Sequence, residues 1–200
     1  MSFKISVFEK QQEWDMISVA KLTLYPLEKA DYKPFVQVRC SAVDGAEEES
    51  GIGFKFTVFE AKRERTSRVS AHFAGVKDNE GRYFTVTAGA VDGVCAVNEK
   101  GVIEVRAKEF EGEDLQGVYW GFEVFVAKKD ISFWEDVIAG EIRGNYYKTS
   151  RKGERDHFGS FYICDFAEMA GSSLEDSAEN TLLLLPKGAE NTGEFLFRRY

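Results

Sequence analysis

Residues 118–127, VYWGFEVFVA, decide the fold, because they form the longest run in which side chains alternate in character. The even-numbered positions of this run are all apolar, and they are Val118, Trp120, Phe122, Val124 and Val126. Successive side chains of a β-strand point to opposite faces of the sheet, so a period of two predicts a strand with one face in an apolar core. The rest of the chain carries the same pattern in shorter segments.

These shorter segments occupy residues 5–8, 18–24, 35–43, 53–62, 68–74, 82–88, 93–97, 102–108, 142–148, 158–166 and 194–199. Turn-forming residues separate many of them at intervals of about eight to twelve residues, which is typical of a β-sandwich or barrel. We predict an all-β fold, an antiparallel β-sandwich of jelly-roll or immunoglobulin-like type with about eleven strands. One or two short helices are expected, the first over residues 130–137 with Asp130 as its cap. The chain of 200 residues has three prolines and no long linker, which indicates a single domain over residues 1–200.

The charge of the chain limits its partners. It has 34 acidic and 26 basic residues and a formal net charge of −8 at pH 7. Such an excess repels phosphate groups, so we expect no nucleic acid and no anionic membrane as partner, but a neutral molecule or a cation. No run approaches the roughly 20 apolar residues that span a bilayer, and the amino-terminal residues lack the apolar core of a secretory signal. Three widely spaced cysteines, Cys40, Cys95 and Cys164, are expected to be reduced core residues. A cytoplasmic location is therefore predicted, with export as the alternative if a leader was trimmed.

The segment 142–148 combines alternation with unusual polar chemistry. Arg143, Asn145 and Tyr147 would share one face of the strand, while Lys148 lies on the other. A guanidinium fork, an amide and a phenol ring can hold a small polar ligand, above all a sugar, which offers hydroxyl groups at its rim and C–H groups on its face. The alternative interpretation is an edge strand whose polar residues are merely solvated.

Motifs of common catalytic and cofactor sites are absent from the sequence: a Gly-rich phosphate loop, G-x-S-x-G, H-E-x-x-H and C-x-x-C. The two histidines, His72 and His157, lie on different predicted strands, and acids are so abundant that no catalytic carboxylate pair stands out. Acidic loops at 44–49 and 111–114 offer oxygen ligands for calcium, but without the spacing of a recognised calcium loop. We expect no catalytic residue and no cofactor, with calcium as the alternative and its ligands unassigned.

Several segments resemble the carbohydrate-binding module family 9-like domains, which are β-sandwiches. They are residues 22–40 (LTLYPLEKADYKPFVQVRC), residues 54–63 (FKFTVFEAKR), where a strand ends in an aromatic residue followed by glutamate, residues 119–131 (YWGFEVFVAKKDI), and residues 142–162 (IRGNYYKTSRKGERDHFGSFY). The resemblance covers about residues 19–162. It implies binding without hydrolysis, in which aromatic rings stack on a saccharide, polar residues bond its hydroxyl groups and calcium is sometimes structural.

The first hypothesis is therefore a non-catalytic carbohydrate-binding domain with a saccharide as its ligand. Its predicted binding residues are Arg143, Asn145, Tyr147 and Lys148 on one strand, His157 beside it, and Trp134 or Tyr32 as the stacking ring. The alternative is an intracellular β-sandwich with a decayed sugar site that serves as a protein interaction or accessory module. A third hypothesis is an enzyme that acts on a sugar through carboxylates that the sequence does not identify. A concave pocket with Trp134, Tyr147 and His157 would favour the first, and an exposed apolar patch without a pocket the second.

Overall fold

The computed structural model describes residues 2–25, 32–76, 81–150, 157–163 and 193–199. In this part of the chain it contains thirteen strands and one α-helix. The elements are β1 (Ser2–Phe8), β2 (Val19–Leu22), β3 (Phe35–Val43), β4 (Gly51–Phe59), β5 (Arg68–Ala74), β6 (Tyr83–Gly89), β7 (Gly93–Asn98), β8 (Gly101–Ile103), β9 (Arg106–Asp114), β10 (Gly117–Ala127), α1 (Trp134–Ala139), β11 (Glu141–Ser150), β12 (His157–Ser160) and β13 (Gly193–Arg199). Short 3₁₀ turns occupy Trp14–Met16, Glu47–Glu49 and Lys128–Asp130. The prediction of a nearly all-β fold is confirmed.

All described strands belong to one sheet. Its order is β8-β7-β6-β5-β11-β13-β1-β3-β4-β10-β9, and β12 and β2 pair with β11 and β3 beside this path. The strand β1 runs parallel to both of its neighbours, β13 and β3, whereas every other pair of strands in the described chain is antiparallel. The prediction of a purely antiparallel sheet is therefore wrong at β1. Alternation of side chains shows which face of a strand is buried but carries no information on the direction of the neighbouring strand.

The sheet curls until the apolar faces of its two halves meet. Along the strand order, β4 and β5 are five positions apart, which in a flat sheet would separate them by roughly 24 Å. The ring centroid of Phe54 on β4 nevertheless lies 5.5 Å from that of Phe73 on β5 and 6.1 Å from that of Phe84 on β6. One continuous apolar core therefore lies between the two halves.

The strand β10 contributes to this core as its alternation predicts. Trp120, Phe122, Val124 and Val126 are buried in the core, but Val118 near the beginning of the strand is exposed. Of the two cysteines in the described part of the chain, Cys40 is buried in the core and Cys95 is half-buried, and neither forms a disulfide. Cys164 lies outside the described residues. Burial raises the pKa of the Cys40 thiol far above its ordinary value, which suits a core residue rather than a nucleophile.

The helix α1 begins four residues later than predicted. Asp130 ends a 3₁₀ turn and does not cap the helix, whose N-cap residue is Phe133 without a side-chain hydrogen bond. The helix ends at Gly140, which adopts a left-handed conformation with φ of 99°. The buried carboxylate of Asp136 accepts a hydrogen bond from the backbone N–H of Val76 at 3.1 Å, which ties the helix to the segment after β5. None of the helices in the described segments is long and apolar enough to span a lipid bilayer.

Candidate functional site

The strand β11, which carries most of the predicted binding residues, lies in the interior of the sheet. It pairs with β5 on one side and with β13 and β12 on the other. The alternative interpretation of 142–148 as an edge strand is therefore wrong. Arg143 is exposed, but Asn145 and Tyr147 on the same face are 0% and 1% exposed. The predicted row of polar groups is thus not open to solvent along its length.

The amide of Asn145 takes part in the backbone structure of its surroundings. Its Oδ1 accepts hydrogen bonds from the backbone N–H groups of Tyr146 at 2.9 Å and Tyr162 at 2.8 Å, and its Nδ2 donates to the carbonyl oxygen of Tyr162 at 3.0 Å. This pairing with Tyr162 reproduces the two hydrogen bonds that a neighbouring strand would make. Asn145 therefore fixes the segment that follows β12.

Lys148, on the opposite face of β11, lies in a buried polar cluster. Its Nζ is 3.0 Å from Oε1 of Glu60, 2.9 Å from Oγ of Ser67 and 2.7 Å from Nε2 of His157. The other carboxylate oxygen of Glu60, Oε2, accepts hydrogen bonds from Ser67 Oγ at 2.5 Å and from Trp120 Nε1 at 3.0 Å. An ammonium group only donates, so we assign Nε2 of His157 as an acceptor, which makes its ring neutral.

Three predicted binding residues therefore meet around a residue that sequence reasoning missed. Tyr32 donates a hydrogen bond from its hydroxyl to Glu60 Oε1 at 3.3 Å, and its ring lies edge-on to that of His157 at 5.4 Å between centroids. Lys148 and His157 complete the group, and the central carboxylate is Glu60 directly after β4. The sequence feature that indicates Glu60 is its position directly after the aromatic residue Phe59, within segment 54–63.

Within this cluster, Glu60 and Lys148 form a buried ion pair. Burial by itself would raise the pKa of Glu60, but the charge of Lys148 and the hydrogen bonds from Ser67, Trp120 and Lys148 outweigh it and lower the pKa below its ordinary value. The side chains of Lys148 and Glu60 are 0% and 2% exposed. The cluster therefore links residues on or beside β4, β5, β10, β11 and β12 in the interior, and a binding role of Lys148 and His157 stays a prediction.

Trp134, the other predicted stacking ring, lies elsewhere. It is in the first turn of α1, is only 8% exposed and belongs to the apolar core. The ammonium of Lys128 lies 5.8 Å from the centre of its ring. Trp134 therefore packs in the apolar core, whereas His157 lies in the polar cluster around Glu60.

An open cleft of about 490 Å³ lies instead on the outer face of β4, β10 and β9. Its wall on one side is the 3₁₀ turn that contains Trp14, and on the other side it is β9. The polar and aromatic residues that line it are Gln11, Trp14, Glu49, Arg106, Lys108, Glu123 and Phe125. The volume lies within the range of about 300–1,000 Å³ that is usual for small-molecule sites.

Gly53 on β4 forms part of the floor of the cleft. The tip of the Trp14 ring, Cη2, lies 3.2 Å from the position that a Cβ atom on Gly53 would take, and Phe125 Cδ2 lies 3.8 Å from it. A larger residue at position 53 would therefore push Trp14 outward or fill the cleft. Trp14 and Phe125 are both half-buried, so part of each ring faces the cleft.

Two basic side chains, Arg106 and Lys108, line this cleft, although the chain as a whole is acidic. The guanidinium of Arg106 lies 4.3 Å from the ring centre of Phe125, which is the distance of a cation–π contact. Lys108 is two residues further along β9, and the register Glu123↔Lys108 and Phe125↔Arg106 places all four side chains on one face. Glu123 is itself paired with Lys55, whose Nζ lies 3.4 Å from its Oε1. Trp14 is not among the predicted binding residues, and the proximity of the cleft residues on β9 and β10 follows only from the strand register.

The structure describes both acidic segments considered for calcium, and residues 111–114 are the end of strand β9 rather than a loop. Asp44 forms an ion pair with Arg199, and Glu111 accepts a hydrogen bond from Arg63 at 2.6 Å. Within the described residues, no three His, Cys, Asp or Glu side chains gather in a group that could hold a metal ion. Calcium binding stays an untested prediction.

Comparison with known proteins gives a fold but no family. The structure is similar to the crystal structure of a "putative carbohydrate-binding protein" from Bacteroides uniformis, with a TM-score of 0.59 over 99% of this chain and 100% of that chain. Only 16% of the aligned residues are identical, so the likeness shows a common fold and transfers no residue roles. No family model and no curated protein matches this chain. The two proteins therefore share a mainly β fold.

Proposed function

We propose that this protein is a non-catalytic carbohydrate-binding domain, a divergent relative of the family 9-like modules with a jelly-roll sandwich, and that the cleft beside Trp14 is its saccharide site. The observation that carries the proposal is the combination of a partly exposed indole ring, Gln11, Glu123 and Arg106 around one cleft of about 490 Å³. An aromatic ring can cover the C–H face of a sugar while amide, carboxylate and guanidinium groups bond its hydroxyl groups.

Two further observations support this proposal. The Bacteroides uniformis protein that shares the fold bears a carbohydrate-binding description. Within the cleft, the carboxylate of Glu123 is held by Lys55 at 3.4 Å, which favours a role in binding over a role as a free general acid or base. One stacked ring and a few hydrogen bonds correspond to dissociation constants from about millimolar to micromolar, roughly −4 to −8 kcal/mol.

Tryptophan fluorescence tests the proposal directly. Of the three tryptophans, Trp14 is half-exposed, whereas Trp120 and Trp134 are 1% and 8% exposed. A sugar that stacks on Trp14 should change the emission of wild-type protein in a saturable manner, and Trp14→Ala should weaken binding measured by calorimetry about tenfold, or about 1.4 kcal/mol. The titration uses a panel of mono- and oligosaccharides, each with and without calcium.

Further variants distinguish a site in the cleft from a site on β11. Trp134→Phe serves as the matched control, because it changes a tryptophan outside the cleft. If binding were lost in Arg143→Ala and kept in Trp14→Ala, the site would lie on β11 rather than in the cleft. If no sugar changed the fluorescence or released heat at concentrations of tens of millimolar, the carbohydrate function itself would be refuted.

A further inference from the structure

The cleft differs in charge from the rest of the molecule. The chain has a net charge of −8, which predicts a neutral or cationic partner. Arg106 and Lys108 nevertheless project from the same face of β9 into the cleft. Among the residues that the structure describes, neither cation has a carboxylate oxygen within 4.0 Å. Two positive side chains without a carboxylate partner among the described residues therefore border one small site.

The acids of the cleft do not cancel these two charges. Glu123 is compensated by Lys55 at 3.4 Å, and Lys55 also lies 4.9 Å from the ring centre of Phe110. Glu49 is exposed in the 3₁₀ turn Glu47–Glu49, where it makes no ion pair with another described residue. The cleft and Lys55 together hold three positive and two negative side chains, so the local balance is positive.

The guanidinium of Arg106 is also held in position before a ligand arrives. Its guanidinium carbon lies 4.3 Å from the ring centre of Phe125, and this contact restricts a planar fork of N–H groups that has a hydrogen-bonding edge. An edge of this kind matches the two oxygens of a carboxylate, whereas Lys108 adds a point charge beside it. Phe125 thus positions the cation, and Trp14 on the opposite wall provides the ring surface for a sugar.

We infer that the cleft recognises an acidic saccharide, a sugar whose carboxylate is bound by Arg106 with the support of Lys108 while its ring stacks on Trp14. This inference rests on the proposed carbohydrate function and names the class of its ligand. For this one site it departs from the expectation of a neutral or cationic partner. The net charge of the whole chain describes the average surface, and the cleft departs from that average.

Matched pairs of sugars test the inference. Galacturonate and galactose differ only in a carboxylate against a hydroxymethyl group, and glucuronate and glucose form a second pair. The affinity of each member is measured by tryptophan fluorescence and calorimetry. We expect the acidic member of at least one pair to bind ten or more times tighter at low ionic strength, and we expect this ratio to fall as sodium chloride is raised to 0.5 M, because salt screens the contact.

The variants identify the cations that are responsible. Arg106→Gln should bring the ratio of acidic to neutral affinity close to one, and Lys108→Gln should lower it by a smaller factor. Arg65→Gln is the matched control, because Arg65 is 83% exposed before β5 and pairs with Asp92. Thermal unfolding of each variant verifies that the fold is kept.

The outcomes separate the inference from the proposed function. A preference for the acidic sugar that disappears in Arg106→Gln and persists in Arg65→Gln supports the inference. Binding of neutral sugars with equal or higher affinity, or a preference that survives Arg106→Gln, overturns it and leaves the carbohydrate function standing. Absence of binding in both classes refutes the carbohydrate function and the inference together.

Discussion

At the scale of single residues, Lys148 and Glu60 form an ion pair in the interior of the protein. Both side chains are almost completely removed from water, so each depends on the other for compensation. We predict that Lys148→Met lowers the free energy of unfolding by about 3–5 kcal/mol, because it leaves the carboxylate of Glu60 buried without a cation. Urea unfolding followed by fluorescence measures this loss.

Two controls belong to this prediction. Lys129→Met replaces an exposed lysine and should change stability by less than about 0.5 kcal/mol. The double variant Lys148→Met, Glu60→Gln removes both charges and should recover part of the stability that Lys148→Met loses. Equal losses for Lys148→Met and Lys129→Met would show that the buried pair contributes nothing to stability.

The lowered pKa of Glu60 also predicts how stability depends on pH. A group whose pKa in the folded state lies below its ordinary value, here 4.5, stabilises the fold above that value and loses its contribution as the pH falls through the folded pKa. The stability difference between wild type and Glu60→Gln should therefore be constant near neutral pH and shrink below about pH 4.5, by at most about 1.4 kcal/mol per pH unit.

Unfolding in urea between pH 7 and pH 3 measures this difference. Glu48→Gln, which changes an exposed acid in a 3₁₀ turn, should follow the wild-type curve over the whole range. A difference between wild type and Glu60→Gln that grew as the pH fell would contradict the assigned direction of the shift.

At the scale of elements, aromatic rings cover glycines on neighbouring strands of the outer face. Phe110 on β9 packs over Gly121 on β10, and Tyr119 on β10 packs over Gly112 on β9. A ring that lies across a glycine shields the backbone, which offsets the poor packing of glycine in a strand. These pairs explain why glycines interrupt the alternating segments without ending the strands.

The two glycines Gly121 and Gly53 should respond differently to the same substitution. A Cβ atom at Gly121 would collide with the backbone oxygen of Phe56 as well as with the Phe110 ring, so Gly121→Ala should destabilise the protein by about 1–3 kcal/mol. A Cβ atom at Gly53 would meet only the ends of side chains, with Trp14 Cη2 nearest at 3.2 Å, so Gly53→Ala should change stability by less than about 1 kcal/mol. Chemical unfolding of the two variants side by side measures the contrast, and equal losses would contradict it.

The elements also show how far sequence reasoning reaches. Alternation over residues 35–43 and 68–74 coincides with β3 and β5, because both strands lie inside the sheet and have a buried apolar face. For β9 the prediction is wrong, because the alternation predicts one strand over residues 102–108, whereas the structure has β8 and then β9 as far as Asp114. This edge strand carries acids on its core-side positions, where Arg63 binds Glu109 at 2.9 Å and Glu111 at 2.6 Å, so it lacks an apolar pattern.

The same limit applies to the candidate site. Lys148, His157 and Tyr32 could be selected from the sequence as unusual residues, but their common partner Glu60 is known only from the pairing of β11 with β12 and of β4 with β10. Most side chains of the cleft come from the hairpin of β9 and β10 and from the turn at Trp14, which is far from this hairpin in sequence. Strand register determines which of these side chains lie next to each other. The alternation of a single sequence shows which face of a strand is buried but not which residues of two strands pair.

At the scale of the whole molecule, the strand β13 closes the sheet. It lies between β11 and β1, so it joins the half that contains β5 to β8 with the half that contains β3, β4, β9 and β10. Phe195 at its centre is 0% exposed, and its ring lies 4.8 Å from that of Phe73 and 5.1 Å from that of Tyr146. Its ring also lies 6.2 Å from that of Phe3 on β1, on the other side of β13, so this residue packs where the two halves meet.

We predict that Phe195→Ala lowers the free energy of unfolding by about 3–5 kcal/mol, because it opens a cavity where the two halves of the sheet meet. Leu196→Ala, on the neighbouring half-buried position of β13, should cost clearly less. Since one core spans both halves, tryptophan fluorescence and far-ultraviolet circular dichroism should report a single coincident transition for both variants. Two separate transitions in Phe195→Ala would show instead that the halves fold independently and that β13 only links them.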